Sequence, residues 1–149
     1  KIYEENKETL EIFECLDEFS DTQNFCDHYG FDIEDSCNAI LIKAKKPEEF
    51  YAMFCVLGAN RLDVNHKAKE AMGAKRVSFA SREEAEAVTG QIYGGISPLG
   101  LPENIRVYMD KNVTDREKLF IGAGNRVSKF FLSPETLIDL SSAKVLDLT

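Results

Sequence analysis

No apolar run in this chain approaches the roughly 20 residues that a membrane-spanning helix needs, which excludes that class. No basic–apolar–small leader pattern opens it. The chain starts on Lys1 rather than Met, so a little natural sequence is expected to precede it. The four cysteines, Cys15, Cys26, Cys37 and Cys55, form no Cys-x-x-Cys pair. Zinc sites favour tight ligand pairs, and disulfide frameworks favour shorter secreted chains. Reduced thiols in a cytoplasmic protein are therefore expected, and no motif supports a reactive thiol at Cys26 or Cys37. His28 and His66 are far apart, with no His-x-x-x-His and no Cys/His cluster. Neither is expected to hold a metal. The chain also has no Pro/Ser/Gly-rich linker, no low-complexity run and no internal repeat.

What is present suits one globular domain over residues 1–149. Hydrophobic residues make up 44% and charged residues 30% of the 149 residues. A chain of that length buries roughly 68–70% of its unfolded surface, enough for a core without staples. The net charge of −8 is unevenly placed. Residues 1–35 carry 2 basic and 12 acidic side chains, while the remainder carries 16 and 14. The acidity belongs to the N-terminal segment, and the nearly neutral remainder has room for a local basic face. Phosphate binding depends on local potential more than on overall charge. The acidic stretch alone also reads as a solvated surface.

Capping and turn signals divide the chain into short elements. Residues 8–20, within the acidic segment 1–20, fit either a helix face or an alternating strand. Asp21 caps a helix over 22–29 that Gly30 ends. Residues 38–44 and 50–57 read as neighbouring buried strands. Asp63 caps a helix from Val64 to Met72, ended by Gly73. A strand over 76–79 follows. Ser81-Arg82-Glu83-Glu84 has the form of a capping box for a helix to about Val88. Strands are predicted at 105–110, 118–121 and 127–132. Ser133-Pro134-Glu135 opens a last helix, and 144–148 closes as a strand. This pattern predicts an α+β domain built on one mixed, highly curved β-sheet or barrel with short helices around it.

Gly94-Gly95-Ile96-Ser97-Pro98-Leu99-Gly100 carries most of the functional information. Glycines let backbone approach a ligand or adopt positive φ, and prolines stiffen the loop. It suits a preformed wall of a binding site, and equally a structural turn. Ser97 is not placed as a hydrolase nucleophile: Pro98 follows it, and the next glycine comes one position too late for a nucleophile elbow. Phe120-Ile121-Gly122-Ala123-Gly124-Asn125-Arg126 is a second glycine element. It reads as an anion-binding nest or a plain hairpin turn, and it lacks a phosphate-loop ending. Asp110, at a strand end, is placed to accept a hydrogen bond from a hydroxyl or amine; otherwise it is a turn aspartate before Lys111-Asn112.

These segments follow in a recognisable order. Arg61-Leu62-Asp63-Val64 and Ala74-Lys75-Arg76-Val77-Ser78-Phe79-Ala80 come first. Ala87-Val88-Thr89-Gly90, the Gly94–Gly100 loop, Arg106-Val107-Tyr108-Met109-Asp110, Gly122-Ala123-Gly124 and Ser133-Pro134-Glu135-Thr136-Leu137 follow. Over about residues 20–149 the chain resembles the YbaK/ProX family of aminoacyl-tRNA editing domains. That resemblance implies a YbaK-like fold and hydrolysis of mischarged aminoacyl-tRNA in trans, with no metal, nucleotide or other cofactor. It implies that Gly94, Gly95, Ile96, Ser97 and Pro98 line the aminoacyl pocket. Gly122, Gly124, Asn125 and Arg126 would form the facing wall, and Asp110 would lie near the amino group. The implied partner is the 3′ end of aminoacyl-tRNA, with a synthetase as a further candidate and neither membrane nor DNA. Such reactions rest on positioning and on stabilising the developing oxyanion.

One position departs from the pattern. The family usually carries lysine where this chain has Asn38, an implied catalytic position. Asparagine hydrogen-bonds but supplies no charge. Either a subgroup has asparagine there, or another base such as Lys43, Arg126 or Lys129 substitutes, or the protein acts on a different substrate. A binding module that recognises aminoacyl-tRNA or a small ligand without cleaving it is the alternative reading.

Overall fold

The computed structural model describes residues 2–149. Its centre is a hairpin of two long strands, β2 (Cys37–Lys46) and β3 (Phe50–Leu57), paired antiparallel with Asn38 opposite Val56 and Lys43 opposite Tyr51. The last six residues of β3 are all buried, as expected for a strand covered on both faces. Side chains alternate across the strand. Met53 and Cys55 enter one core with Leu41, Val107 and Met109. Ala52, Phe54 and Val56 enter a second with Ile42, Tyr108 and Leu148. β4 (Arg76–Phe79) flanks β2, while β5 (Arg106–Asp110) runs parallel to β3 and β8 (Lys144–Leu146) parallel to β5. The five-stranded sheet is therefore ordered β4-β2-β3-β5-β8.

A second, antiparallel sheet has the order β1-β7-β6, from β1 (Glu11–Glu14), β6 (Leu119–Gly122) and β7 (Ser128–Leu132). The predicted α+β class holds, but the single curved sheet divides in two. Among the described residues, the one strand pairing between the sheets is a bridge from Ser36 to Phe120, and a shared core packs them together. The ambiguous residues 8–20 resolve into β1 and a 3₁₀ turn at Asp17–Phe19. Phe13 anchors β1 in an aromatic cluster with Phe25, Tyr29, Phe31 and Phe131. A short helix α1 (Ile2–Glu5) precedes it, which no local signal predicted.

The predicted caps all form. In α2 (Thr22–Tyr29), Asp21 accepts from Asn24 N–H at 3.2 Å, and Gly30 ends the helix at φ 78°. Ser133 caps α5 (Pro134–Ser141), accepting from Thr136 N–H at 3.1 Å. The helix expected over 64–72 begins instead as a wide π-helical turn, Val64–Ala68, before α3 (Lys69–Met72). Asp63 is held by Leu148 O on its N–H and by His66 N–H on its carboxylate, and Ala68 N–H reaches back to Asp63 O. That anchoring opens the first turn.

The capping box of α4 (Arg82–Thr89) extends beyond its own helix. Glu84 accepts from Ser81 N–H at 3.0 Å, from Lys43 Nζ at 2.8 Å and from the Tyr51 hydroxyl at 2.9 Å, which ties α4 to β2 and β3. The Lys43 hydrogen bond, followed by those of Ser81 and Tyr51, holds the Glu84 carboxyl at about 2. Because the folded value lies below the ordinary one of 4.5, this contribution is complete above about pH 4.5 and is lost as pH falls toward 2. Melting temperature should therefore fall more steeply through that window in the wild type than in Glu84→Gln. Equal slopes would remove Glu84 from the account.

Candidate functional site

Several sequence-nominated residues converge on a cleft of about 570 Å³. One wall is the start of β2, where Asn38 sits with Ala39 and Ile40. The other is made by Gly94, Gly95 and Ile96, with Gly122 and Arg126 beside them. Asp21 and Thr22, at the start of α2, also line the cleft. A larger cavity of about 970 Å³ lies elsewhere, lined by Pro98, Leu101, Tyr108 and Ser142 among others. Apart from Pro98 it gathers none of the nominated residues, so the smaller cleft is the candidate site.

The glycine loops interlock through direct backbone contacts. Gly124 N–H donates to Gly95 O at 2.7 Å, and Ile92 N–H to Gly124 O at 3.0 Å. A Cβ on Gly95 would collide with the carbonyl of Asn125, and one on Gly122 with the carbonyls of Ile96 and Gly95. Both positions need glycine because the two loops are in backbone contact. Gln91 clamps the first loop, accepting from Ser97 N–H at 2.5 Å and donating to Leu99 O at 3.0 Å. Gln91 follows a helix-ending glycine, and nothing in the local sequence marks it as a clamp.

Asn38 accepts a 3.4 Å hydrogen bond from the Thr22 hydroxyl, joining β2 to the start of α2. Arg126 donates to Asp17 Oδ1 at 3.0 Å and to Asp17 O at 3.1 Å, while its other terminal nitrogen lies against Gly94, whose φ is 93°. Lys129 lies 5% exposed in the same cleft, donating to Ser20 O at 2.8 Å. Burial pushes its pKa down. Of the three bases weighed as substitutes at Asn38, Lys43 is committed to Glu84 at 2.8 Å and lies outside the cleft, whereas Arg126 and Lys129 line it. Two aromatic rings that sequence reasoning missed stand on the rim: Phe79 is 62% and Tyr93 48% exposed. Their positions, at a strand end and beside Gly94, were the available signal.

Other nominated residues are placed outside the cleft. Ser97 is buried, and its hydroxyl accepts from Leu99 N–H at 3.2 Å, closing the turn. Pro98 lines the larger cavity. Gly124 serves the loop contact, and Asn125 turns its side-chain oxygen to Val127 N–H and the Ser128 hydroxyl, both at 2.9 Å. Asp110 is fully buried and accepts from Leu148 N–H at 2.8 Å and Asn112 N–H at 3.4 Å. Its carboxylate is used on backbone donors inside the fold and does not line the cleft, where contact with an amino group was expected. The four cysteines are free and buried. A hydrogen bond with Cys55, together with burial, pushes the Cys37 thiol well up, and burial raises Cys15 and Cys26. Thiols held protonated in this way are poor nucleophiles.

A five-stranded mixed sheet bridged to a small antiparallel sheet, with two interlocked glycine loops beside the cleft, defines the YbaK-like fold. Two solved structures share it. One, described as a trans-editing enzyme for prolyl tRNA synthetase, has a TM-score of 0.83 at 24% identity, over 94% of this chain and 86% of that one. The other, hypothetical protein APE2540, has a TM-score of 0.87 at 22% identity, over 99% and 95%. The chain belongs to the aminoacyl-tRNA editing domain family, whose profile matches residues 17–140. EbsC of Enterococcus faecalis, whose name assigns it deacylation of Cys-tRNA(Pro) and Cys-tRNA(Cys), is 30% identical over 92 residues, 62% of this chain and 56% of its own length. A proline–tRNA ligase of Nautilia profundicola is 34% identical over 106 residues, 70% of this chain and 18% of the ligase. The match thus spans just over half of EbsC and a small part of the ligase. No helix among the described residues is long and apolar enough to cross a membrane.

Proposed function

We propose that this protein is an aminoacyl-tRNA deacylase that acts in trans in the cytoplasm, hydrolysing the ester between a wrong amino acid and the tRNA 3′ end. The observation that carries this reading is the cleft itself. It sets Asn38 and a buried lysine beside a glycine wall that leaves room for a ligand's backbone-sized groups. Family membership and the deacylase and ligase relatives support it. The exposed rings of Phe79 and Tyr93 suit stacking with unpaired terminal bases.

In this reading water attacks the ester carbonyl, the carbonyl oxygen takes up negative charge, and the bond to the ribose oxygen breaks. The free amino acid leaves, and a proton is returned to the ribose hydroxyl. Gly94, Gly95 and Ile96 hold the aminoacyl group, and Asn38 supplies a hydrogen-bonding amide to it. Donors preorganised where charge develops are the main resource of such a site.

The test is incubation with a panel of mischarged tRNAs that includes Cys-tRNA(Pro). At least one should be hydrolysed faster than it decays spontaneously, and Asn38→Ala should slow that reaction by roughly 10²-fold, the scale of one lost oxyanion donor. No acceleration for any member would sink the enzyme reading. Binding without cleavage by the wild type, with cleavage restored in Asn38→Lys, would establish the binding-module alternative, which the uncharged amide of Asn38 favours.

A further inference from the structure

We propose that the ammonium of Lys129 is the substrate-binding cation of this cleft, meeting an anionic oxygen at the aminoacylated 3′ end of tRNA. This rests on the deacylase reading and deepens it. Lys129 stands on β7 directly opposite Gly122 of β6, which has no side chain on that flank, and its ammonium lines the cleft. Its stem passes the Phe25 ring, with Nζ 5.5 Å from the ring centroid. The one hydrogen bond it makes among the described residues goes to a neutral acceptor, Ser20 O, at 2.8 Å. The same Ser20 donates its hydroxyl to Gly94 O at 3.4 Å, so the lysine and the glycine wall share one anchor.

The absence of a counter-ion is what needs explaining. Lys43, Lys67, Lys111, Lys118, Arg116 and Arg126 each have a carboxylate partner, and every one of them is more exposed than Lys129. Among the described residues no carboxylate pairs with Lys129. Asp21, in the same cleft, accepts from Asn24 N–H and acts on Lys129 only from beyond ion-pair distance. Arg126, the other cleft cation, is already neutralised by Asp17 at 3.0 Å. Burying a charge without a partner is costly, by several kcal/mol in typical proteins. A cation retained under those terms beside an open cleft is compensated when an anion enters it. The deacylase substrate offers two such anions of one chemistry: the oxyanion formed from the ester carbonyl, and the terminal phosphodiester.

The experiment compares wild type with Lys129→Met. It measures kcat and KM for the mischarged tRNA and, by fluorescence anisotropy over a salt series, affinity for a deacylated RNA hairpin ending in CCA. Methionine replaces the charge with an apolar chain of similar length, so the melting temperature should hold or rise. We expect kcat/KM to fall roughly 10²-fold. A fall in kcat with unchanged hairpin affinity identifies the oxyanion. Weaker hairpin binding, with a salt slope shallower by about one, identifies the phosphate. Wild-type kcat, KM and hairpin affinity in the variant would overturn the proposal while leaving the deacylase reading intact. If the wild type cleaves nothing, that reading fails by itself, and the hairpin arm still decides Lys129: lost affinity supports the cation role and unchanged affinity ends it. Should the methionine chain not fold, Lys129→Gln, which keeps a donor for Ser20 O, is read by the same criteria.

Discussion

Gly95→Ala should lower stability by about 2–3 kcal/mol and cripple the cleft, although it adds one methyl group. The new Cβ would run into the carbonyl carbon and oxygen of Asn125. Those are backbone atoms, so no rotamer change relieves the clash, and overpacking of this kind costs about 1–3 kcal/mol. The loops must also part, which breaks the 2.7 Å bond from Gly124 N–H to Gly95 O. In a chain of this size each kcal/mol moves the melting temperature by roughly 2–4 °C. Gly30→Ala is the control. Gly30 has φ 78° and open space around its Cα, so only the left-handed backbone is penalised there, by about 1–2 kcal/mol. Its site lies away from the cleft, so hydrolysis should continue. A Gly95→Ala protein that melts and hydrolyses like the wild type would mean that the two loops do not pack as described.

Asp110→Ala should cost about 2–3 kcal/mol and leave hydrolysis by the folded fraction unchanged. The carboxylate is fully buried and holds Leu148 N–H at 2.8 Å, closing the C-terminal segment over the second core. Deleting it strands a buried donor, a loss of about 1–3 kcal/mol, and gives up a charged hydrogen bond. Asp110→Asn keeps an acceptor and should lose less. Urea melts measure the first quantity, and single-turnover rates at a temperature where the variant is folded measure the second. Normal stability with a collapsed rate would return Asp110 to the substrate contact that its strand-end position first suggested.

The two variants separate placement that sequence position reveals from placement that it does not. The glycine loop was legible because glycine and proline act through the backbone at their own positions, and the structure puts Gly94, Gly95 and Ile96 in the cleft. Ser97, Pro98 and Asp110 look equally suitable in the sequence. What each side chain faces depends on partners far along the chain: for Asp110, on Leu148, 38 residues away. Proximity in sequence to a binding loop says nothing of which way a buried polar group turns to find its hydrogen bond.

Lys129 shows the same division most sharply. Its charge, its strand and the cap that opens α2 are all local properties. Whether the ammonium lies in solvent or in the cleft depends on strand parity and on the register that sets Lys129 opposite Gly122 and Phe13, since a shift of one residue turns every side chain to the other face. The sequence by itself determined the helix ends at Asp21, Gly30, Ser81 and Ser133, the two central strands and the glycine loops, because caps, alternation and glycine conformation act over a few neighbouring residues. Only the tertiary structure decided that residues 11–14 form a strand, that the sheet divides in two, and that Asn38, Gly94, Gly122 and Lys129 share one cleft. Those outcomes depend on pairing between segments up to about 120 residues apart, where burial and register, rather than local preference, settle the conformation.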